Sequence, residues 1–396
     1  MSLPLCPFCG ALLKNLKWAS ILLLFSGPIA ICQEDSIPKG FIPLIKAKYE
    51  KITNADRMLI PFPIITRQPE TGWVGGFALD YYFKPRDSAI AAVTRPSYVY
   101  ASVTYSQLDQ LQTDLQWQAF TAENKYYLRG QIGFINYYDR FWGIGNRTPE
   151  SNLSEYTFNR TRVLLRGMRR VSSALYVGAL WQSDWYTNVN WFNLNDKIDL
   201  DSIPGSHDNR IIGFGPAILY DSRDNPYAPH KGWYAEFQTT FFVSGLGSEY
   251  TFERVLADVR KFIPLGGKPN HLLALQSIFN FSIGHVEQIP FREMGRLGSP
   301  MIMRGYFNGR FKDRHMGEAQ VEYRFPVWKI VSGAAFVSAG RVAADPGDLF
   351  QGKYHYSYGI GPRVTVNKKQ RVSVRLDVAF NEFGKAEYYA RFFEAF

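Results

Sequence analysis

From Phe62 to Phe396 apolar and polar residues alternate with a period of two, in segments of roughly nine to fourteen residues, and no other feature restricts the fold as tightly. Between Leu111 and Ala119, the residues Leu111, Thr113, Leu115, Trp117 and Ala119 share one face, while Gln112, Asp114, Gln116 and Gln118 share the other. Val372, Val374, Leu376, Val378 and Phe380 oppose Arg371, Ser373, Arg375 and Asp377 in the same way. Ala319, Val321, Tyr323 and Phe325 oppose Glu318, Gln320, Glu322 and Arg324. Each segment is thus a strand with one wet and one greasy face. A soluble β-sandwich shares the alternation, but globular strands run about five or six residues, whereas longer ones cross a bilayer at a tilt. The pattern predicts an all-β fold, a transmembrane antiparallel β-barrel.

Aromatic residues make up 16% of the chain, including 24 Tyr and 30 Phe, yet hydrophobic content is only 46%. Alternation produces this combination, because lipid-facing and lumen-facing residues cancel in any window. Helical spans need about 20 consecutive apolar residues, and beyond the N-terminus no such run exists. About sixteen strands are expected, from 60–67 and 73–83 through 317–327 and 332–343 to 371–381 and 386–396. If the first rises from the periplasm, the long connections at 139–154, 188–208 and 285–316 fall outside the cell, and short turns such as Ala122-Glu123-Asn124 fall inside. The connections 84–96 and 222–231 are longer than that rule expects. Tyr388, Ala390 and Phe392 are in phase with Phe396, and Glu394 breaks the phase.

At the N-terminus, Lys14 and Lys17 precede an apolar run from Trp18 to Phe25, then Gly27-Pro28 and small residues up to Cys32. That order reads as a secretory signal region, 1–32, cleaved near Cys32-Gln33; lipidation of Cys32 is the alternative. Cys6-Pro7-Phe8-Cys9 has zinc or redox spacing but no second ligand pair. The mature chain then has no cysteine, as suits an exported bacterial protein. Residues 33–57 are expected to form a short periplasmic tail, and 58–396 the barrel.

The net charge is +10, but the basic residues are scattered through strand-like segments instead of forming one patch. This argues against nucleic acid as a partner and for a barrel lumen, since a charge on the lipid face costs about 2–4 kcal/mol at the midplane. Arg160, Arg162 and Arg166 line one expected inner wall, and Arg254, Asp258 and Arg260 another. In the plain reading they simply solvate the lumen. Asp221 and Asp224 suggest either a metal loop or a turn built by the nearby Pro and Gly, the latter favoured by the missing ligand spacing. No Ser/His/Asp cluster or phosphate-cradling glycine loop stands out, so neither catalysis nor a cofactor or metal is expected.

The segment 285–316 differs from the other connections. Arg292, Arg296, Arg304, Arg310, Lys312 and Arg314 are interleaved with Gly295, Gly298, Gly305 and Gly309. Glycines let a backbone approach a wall closely, and a guanidinium binds a carboxylate through two parallel hydrogen bonds. A loop entering the lumen could therefore pin Arg304 to Glu322; a solvated surface loop is the alternative.

Four stretches carry a resemblance: Pro69-Glu70-Thr71-Gly72, the segment from Asp221 to Gly232, Arg304-Gly305-Tyr306, and Val321-Glu322-Tyr323-Arg324-Phe325-Pro326. In this order, over nearly the whole mature chain, they are similar to the BamA/TamA superfamily of outer-membrane barrels, the bacterial surface antigen proteins. The resemblance implies that the Arg-Gly-Tyr loop folds into the lumen, its arginine held by Glu322 and by an acid on the following strand. Ser338 stands where that acid belongs, in a stretch ending at Gly340, so a weaker anchor is expected there. Family members that insert or secrete proteins carry periplasmic POTRA domains, which this chain is expected to lack. The resemblance also implies a protein of the bacterial cell outer membrane, surrounded by outer-membrane lipid and lipopolysaccharide. It is expected to assist assembly or translocation of outer-membrane or surface components, with other assembly proteins or lipoproteins as partners. A passive pore with an arginine-rich lumen and a secreted β-sandwich are the competing readings.

Overall fold

The computed structural model describes residues 57–396 except 227, 267 and 368–370. The signal region with its three cysteines, and all of the expected tail except Arg57, lie outside the described residues. The chain first forms β1 (Arg57–Gln68), β2 (Gly72–Phe83), β3 (Ser97–Ser106), β4 (Leu111–Phe120), β5 (Tyr126–Phe141) and β6 (Ser154–Arg170). There follow β7 (Leu175–Phe192), β8 (Asn209–Asp221), β9 (Gly232–Phe242), β10 (Phe252–Leu265) and β11 (Lys268–Ile283). After two three-residue strands, β12 (Gly295–Leu297) and β13 (Phe311–Asp313), come β14 (His315–Trp328), β15 (Val331–Ala343), β16 (His355–Asn367), β17 (Val372–Asn381) and β18 (Ala386–Phe392). All but β12 and β13 close into one antiparallel barrel of sixteen strands, with β14 beside β11 and β18 returning to β1.

Strand parity decides which side chain enters the barrel. On β14, Glu318, Gln320, Glu322 and Arg324 are buried, while Val321 between them is 40% exposed. Leu376, Val103 and Phe77 are likewise exposed on the outside. Polar inside and apolar outside inverts a water-soluble fold and is what a lipid surround requires.

Two details depart from the sequence reading. The connection after β2 contains a short helix, α1 (Ser88–Val93), because the Asp87 carboxylate accepts the backbone N–H groups of Ala89 (2.9 Å) and Ile90 (3.2 Å). The terminal strand stops at Phe392 instead of running to Phe396, since Phe393 takes φ 65° and turns the chain inward. That turn accounts for the phase break at Glu394, whose carboxylate receives Arg363 Nε and Ser373 Oγ, both at 3.3 Å. Ala395 and Phe396 then bury beside Phe262, Leu272 and Ala274.

The barrel's joint is uneven. β1 and β2 pair over twelve residues, from Arg57↔Phe83 to Gln68↔Gly72, whereas β1 and β18 register at Arg67↔Ala390 alone. Continued in that register, residues 393–396 would face 64–61, but Pro61 and Pro63 lack the N–H a ladder needs. Among the described residues the lower half of β1 therefore has a strand on one side only.

Candidate functional site

The connection between β11 and β14, residues 284–314, is tied back on itself by the β12–β13 ribbon, and residues 298–310 form its tip. Met303 (φ 52°) and Gly305 (φ 105°) both adopt left-handed backbone, which turns the Arg304 side chain toward the wall. A Cβ on Gly305 would lie 3.1 Å from the Phe380 carbonyl carbon, so the motif's glycine is set by close approach to β17 as well as by its φ. Gly340 is bare for a related reason: a Cβ there would meet the side chains of Leu297 and Glu318 at 2.7 and 2.9 Å.

Arg304 is fully buried against the inward faces of β14 and β17. Its Nη2 donates to Glu322 Oε2 (2.7 Å) and Gln320 Oε1 (3.3 Å), and its Nη1 to Asp377 Oδ2 (2.8 Å). The guanidinium carbon stands 3.4 Å from the Phe336 ring centroid. Glu322 also accepts Arg324 Nε at 2.7 Å, and Asp377 accepts Arg363 Nη1 at 2.5 Å and Arg375 Nη1 at 2.8 Å. With Glu394 the cluster holds four guanidiniums (Arg304, Arg324, Arg363, Arg375) and three carboxylates (Glu322, Asp377, Glu394). Each buried ion there has an opposite charge beside it, which offsets the cost of taking it out of water.

Ser338 does not serve as the weakened anchor the sequence suggested. Its hydroxyl pairs with Ser357 Oγ at 3.0 Å, and the second carboxylate for Arg304 comes from Asp377 on β17. Asp377 was legible as a wet-face residue, but nothing local marks it as a partner for a loop 73 residues earlier. Arg363 and Arg375 were missed for the same reason.

The other wall charges form separate pairs away from Arg304. Arg162 lies 2.6 Å and Arg160 3.9 Å from Asp184, Arg166 lies 2.6 Å from Glu236, and Arg260 is paired with Asp258. Arg254 reaches the loop, binding Glu293 at 2.6 Å. Further along, Arg292 packs over Phe291 (4.6 Å to the ring centroid), and Arg310 donates to Thr148 Oγ1 (2.9 Å) and its carbonyl (2.7 Å). The loop is thus held at several points of the rim. Asp221 pairs with Arg95 and Arg223, and Asp224 accepts the backbone N–H groups of His230 and Lys231, so this segment is a braced turn. Among the described residues no group of acids, histidines or cysteines could hold a metal.

Glu70, in the turn between β1 and β2, is fully buried, and its Oε1 accepts the Asn308 N–H at 2.6 Å. Burial pushes its carboxyl up to about 7, against the lowering effect of its own and the Asn308 N–H; Asp139 and Glu387 raise it further. Tyr137 on β5 and Tyr389 and Arg391 on β18 also face it. A carboxyl raised in the docked state favours docking when protonated. Its contribution is therefore complete below about 4.5 and is lost as pH rises through about 7. Protease cleavage within 298–310 should increase across that window by an amount reflecting about 3 kcal/mol at most, and Glu70→Gln should flatten the response. A flat wild-type profile would refute the assignment.

Residues 94–392 match the Omp85 superfamily domain. No curated protein matches the chain in sequence. Among solved structures, the fold is similar to BamA from Haemophilus ducreyi lacking POTRA domains 1–3, with TM-score 0.56 and 13% identity, over 85% of this chain and 70% of that one. It is also similar to CdiB from Acinetobacter baumannii, with TM-score 0.55 and 12% identity, over 86% of this chain and 60% of that one. CdiB from Escherichia coli gives TM-score 0.55 and 10% identity, over 85% and 62%. The chain spans about three-fifths of the length of the CdiB proteins.

Proposed function

The chain belongs to the Omp85 superfamily, and from that premise we propose that it works in the bacterial outer membrane, assisting assembly or translocation of outer-membrane or surface components. The observation that carries this reading is the joint between β1 and β18, with one registered pair and a lower stretch of β1 that has no second strand beside it among the described residues. An unpaired strand edge is a template for an incoming strand. A barrel that keeps one at its own joint has a place to receive one. The proposed surroundings are outer-membrane lipid and lipopolysaccharide, and other assembly proteins or lipoproteins would deliver substrate. The role needs no catalytic group.

A passive pore draws less support. Arg162, Arg166 and Arg254 each lie 2.6 Å from an acid, and Arg304 is buried under its own loop, so these four cations are held in pairs and steer anions weakly. Depletion of the protein should lower the abundance of particular outer-membrane proteins or surface components, measured by quantitative proteomics of isolated outer membranes. An unchanged outer membrane would overturn the reading.

A further inference from the structure

We propose that residues 304–308 form a clasp that holds the β1–β18 joint shut from inside, with Glu70 as the residue that positions its far end. The proposal rests on the reading of that joint as the working site.

The direct connection across the joint is slight. Beyond the pair Arg67↔Ala390, Arg67 Nη1 donates to the Tyr388 carbonyl (3.2 Å) and Arg391 Nη1 to Gln68 Oε1 (2.6 Å), and the rings of Phe62 and Phe392 lie 6.3 Å apart. The loop tip adds a bridge. On one side, the Gly305 N–H donates to Tyr389 Oη on β18 (2.9 Å), and Asn381 Nδ2 on β17 holds the Gly305 carbonyl (2.7 Å). On the other side, the Asn308 N–H donates to Glu70 Oε1 in the β1–β2 turn (2.6 Å). Glu70 and Tyr389 are both buried, so water does not compete for either bond.

The two donors are close neighbours on one backbone. Arg304, immediately before them, is fixed to Glu322 and Asp377, so the segment cannot slide along with a departing hairpin. Moving β1 away from β18 therefore breaks the Asn308–Glu70 bond or pulls Arg304 from its carboxylates. Release of the loop and opening of the joint become one event, and the motif arginine regulates the edge strand without touching it. Glu70 acts through Asn308 and is a positioning residue.

Hydrogen–deuterium exchange on the full-length protein in lipid nanodiscs tests this. In Glu70→Ala, amides of residues 64–68 and 388–392 should exchange roughly tenfold faster, the upper end of what losing one hydrogen bond gives. With all exchange measured near pH 5, where the docked Glu70 carboxyl is protonated, Glu70→Gln keeps an acceptor oxygen in place and should exchange like the wild type. Tyr389→Phe removes the bond on the opposite side and should again quicken the joint alone, with β5 to β9 unchanged. The proposal is overturned if the joint exchanges at the wild-type rate in both Glu70→Ala and Tyr389→Phe, or if Glu70→Gln behaves like Glu70→Ala. General acceleration through β5 to β9 in both disruptive variants would equally overturn it, since the bonds would then support the whole barrel. The measurement needs no substrate, so a failed depletion experiment removes the assembly role and leaves this result standing, and the reverse also holds.

Discussion

Oxidising a cysteine pair introduced as Arg67→Cys and Ala390→Cys will bring the proposed assembly or translocation activity close to zero, and a reductant will restore it. These are the residues that face each other across the β1–β18 joint. Direct antiparallel partners have Cα atoms about 4.5–5.5 Å apart, inside the range of about 4.4–6.8 Å that a disulfide spans without distortion. Cys6, Cys9 and Cys32 are replaced by serine in both test proteins, so that each carries only the introduced pair. A second pair, Ile65→Cys with Gly75→Cys, lies in register between β1 and β2 and should leave activity intact when oxidised. The contrast separates locking the joint from stiffening β1. Full activity in the oxidised Arg67→Cys/Ala390→Cys protein would mean that the joint need not open and would remove the main support for the proposed function.

The largest expected loss of stability comes from Asp377→Asn. Asp377 receives Arg304, Arg363 and Arg375 within 2.8 Å, and all four side chains are buried. Asparagine preserves the shape and one acceptor oxygen but withdraws the charge that three guanidiniums share. Breaking a buried pair by removing one partner costs about 3–5 kcal/mol, and here the cluster already carries one more cation than carboxylates. Ser338→Ala forfeits only a hydroxyl–hydroxyl bond, about 1 kcal/mol. Heat-dependent gel mobility of the folded barrel, with protease cleavage of the 298–310 tip, should rank Asp377→Asn well below Ser338→Ala. The double variant Arg304→Ala with Asp377→Asn should cost less than the sum of its parts, as residues sharing one bond do. Equal behaviour of Asp377→Asn and Ser338→Ala would show that this cluster does not anchor the loop.

Much of the architecture was legible in the amino-acid sequence. Strand number, the face of each strand and the position of the long connections come from parity, which is local: a residue's side of the sheet depends only on its place in its own strand. Lipid outside and water or counter-charge inside then decide which face may be polar, so Glu322, Arg324, Arg375 and Asp377 could be placed on the inner wall directly from their alternation. The glycines around Arg304 and the Arg-Gly-Tyr motif likewise marked 285–316 as a segment that comes close to something. Partnerships were another matter. That Arg304 takes its second carboxylate from Asp377 and not from the stretch around Ser338, that Glu394 turns inward to Arg363, and that Glu70 meets Asn308 are contacts between residues far apart in the chain. Each exists only because the sheet closes and brings β14, β16, β17 and β18 around one interior, and because Pro61 and Pro63 leave the last residues no strand to join. The sequence by itself determined the wall and its two faces, since alternation needs no distant partner. The tertiary structure alone decided which charges meet, since barrel closure sets those distances and no local pattern encodes them.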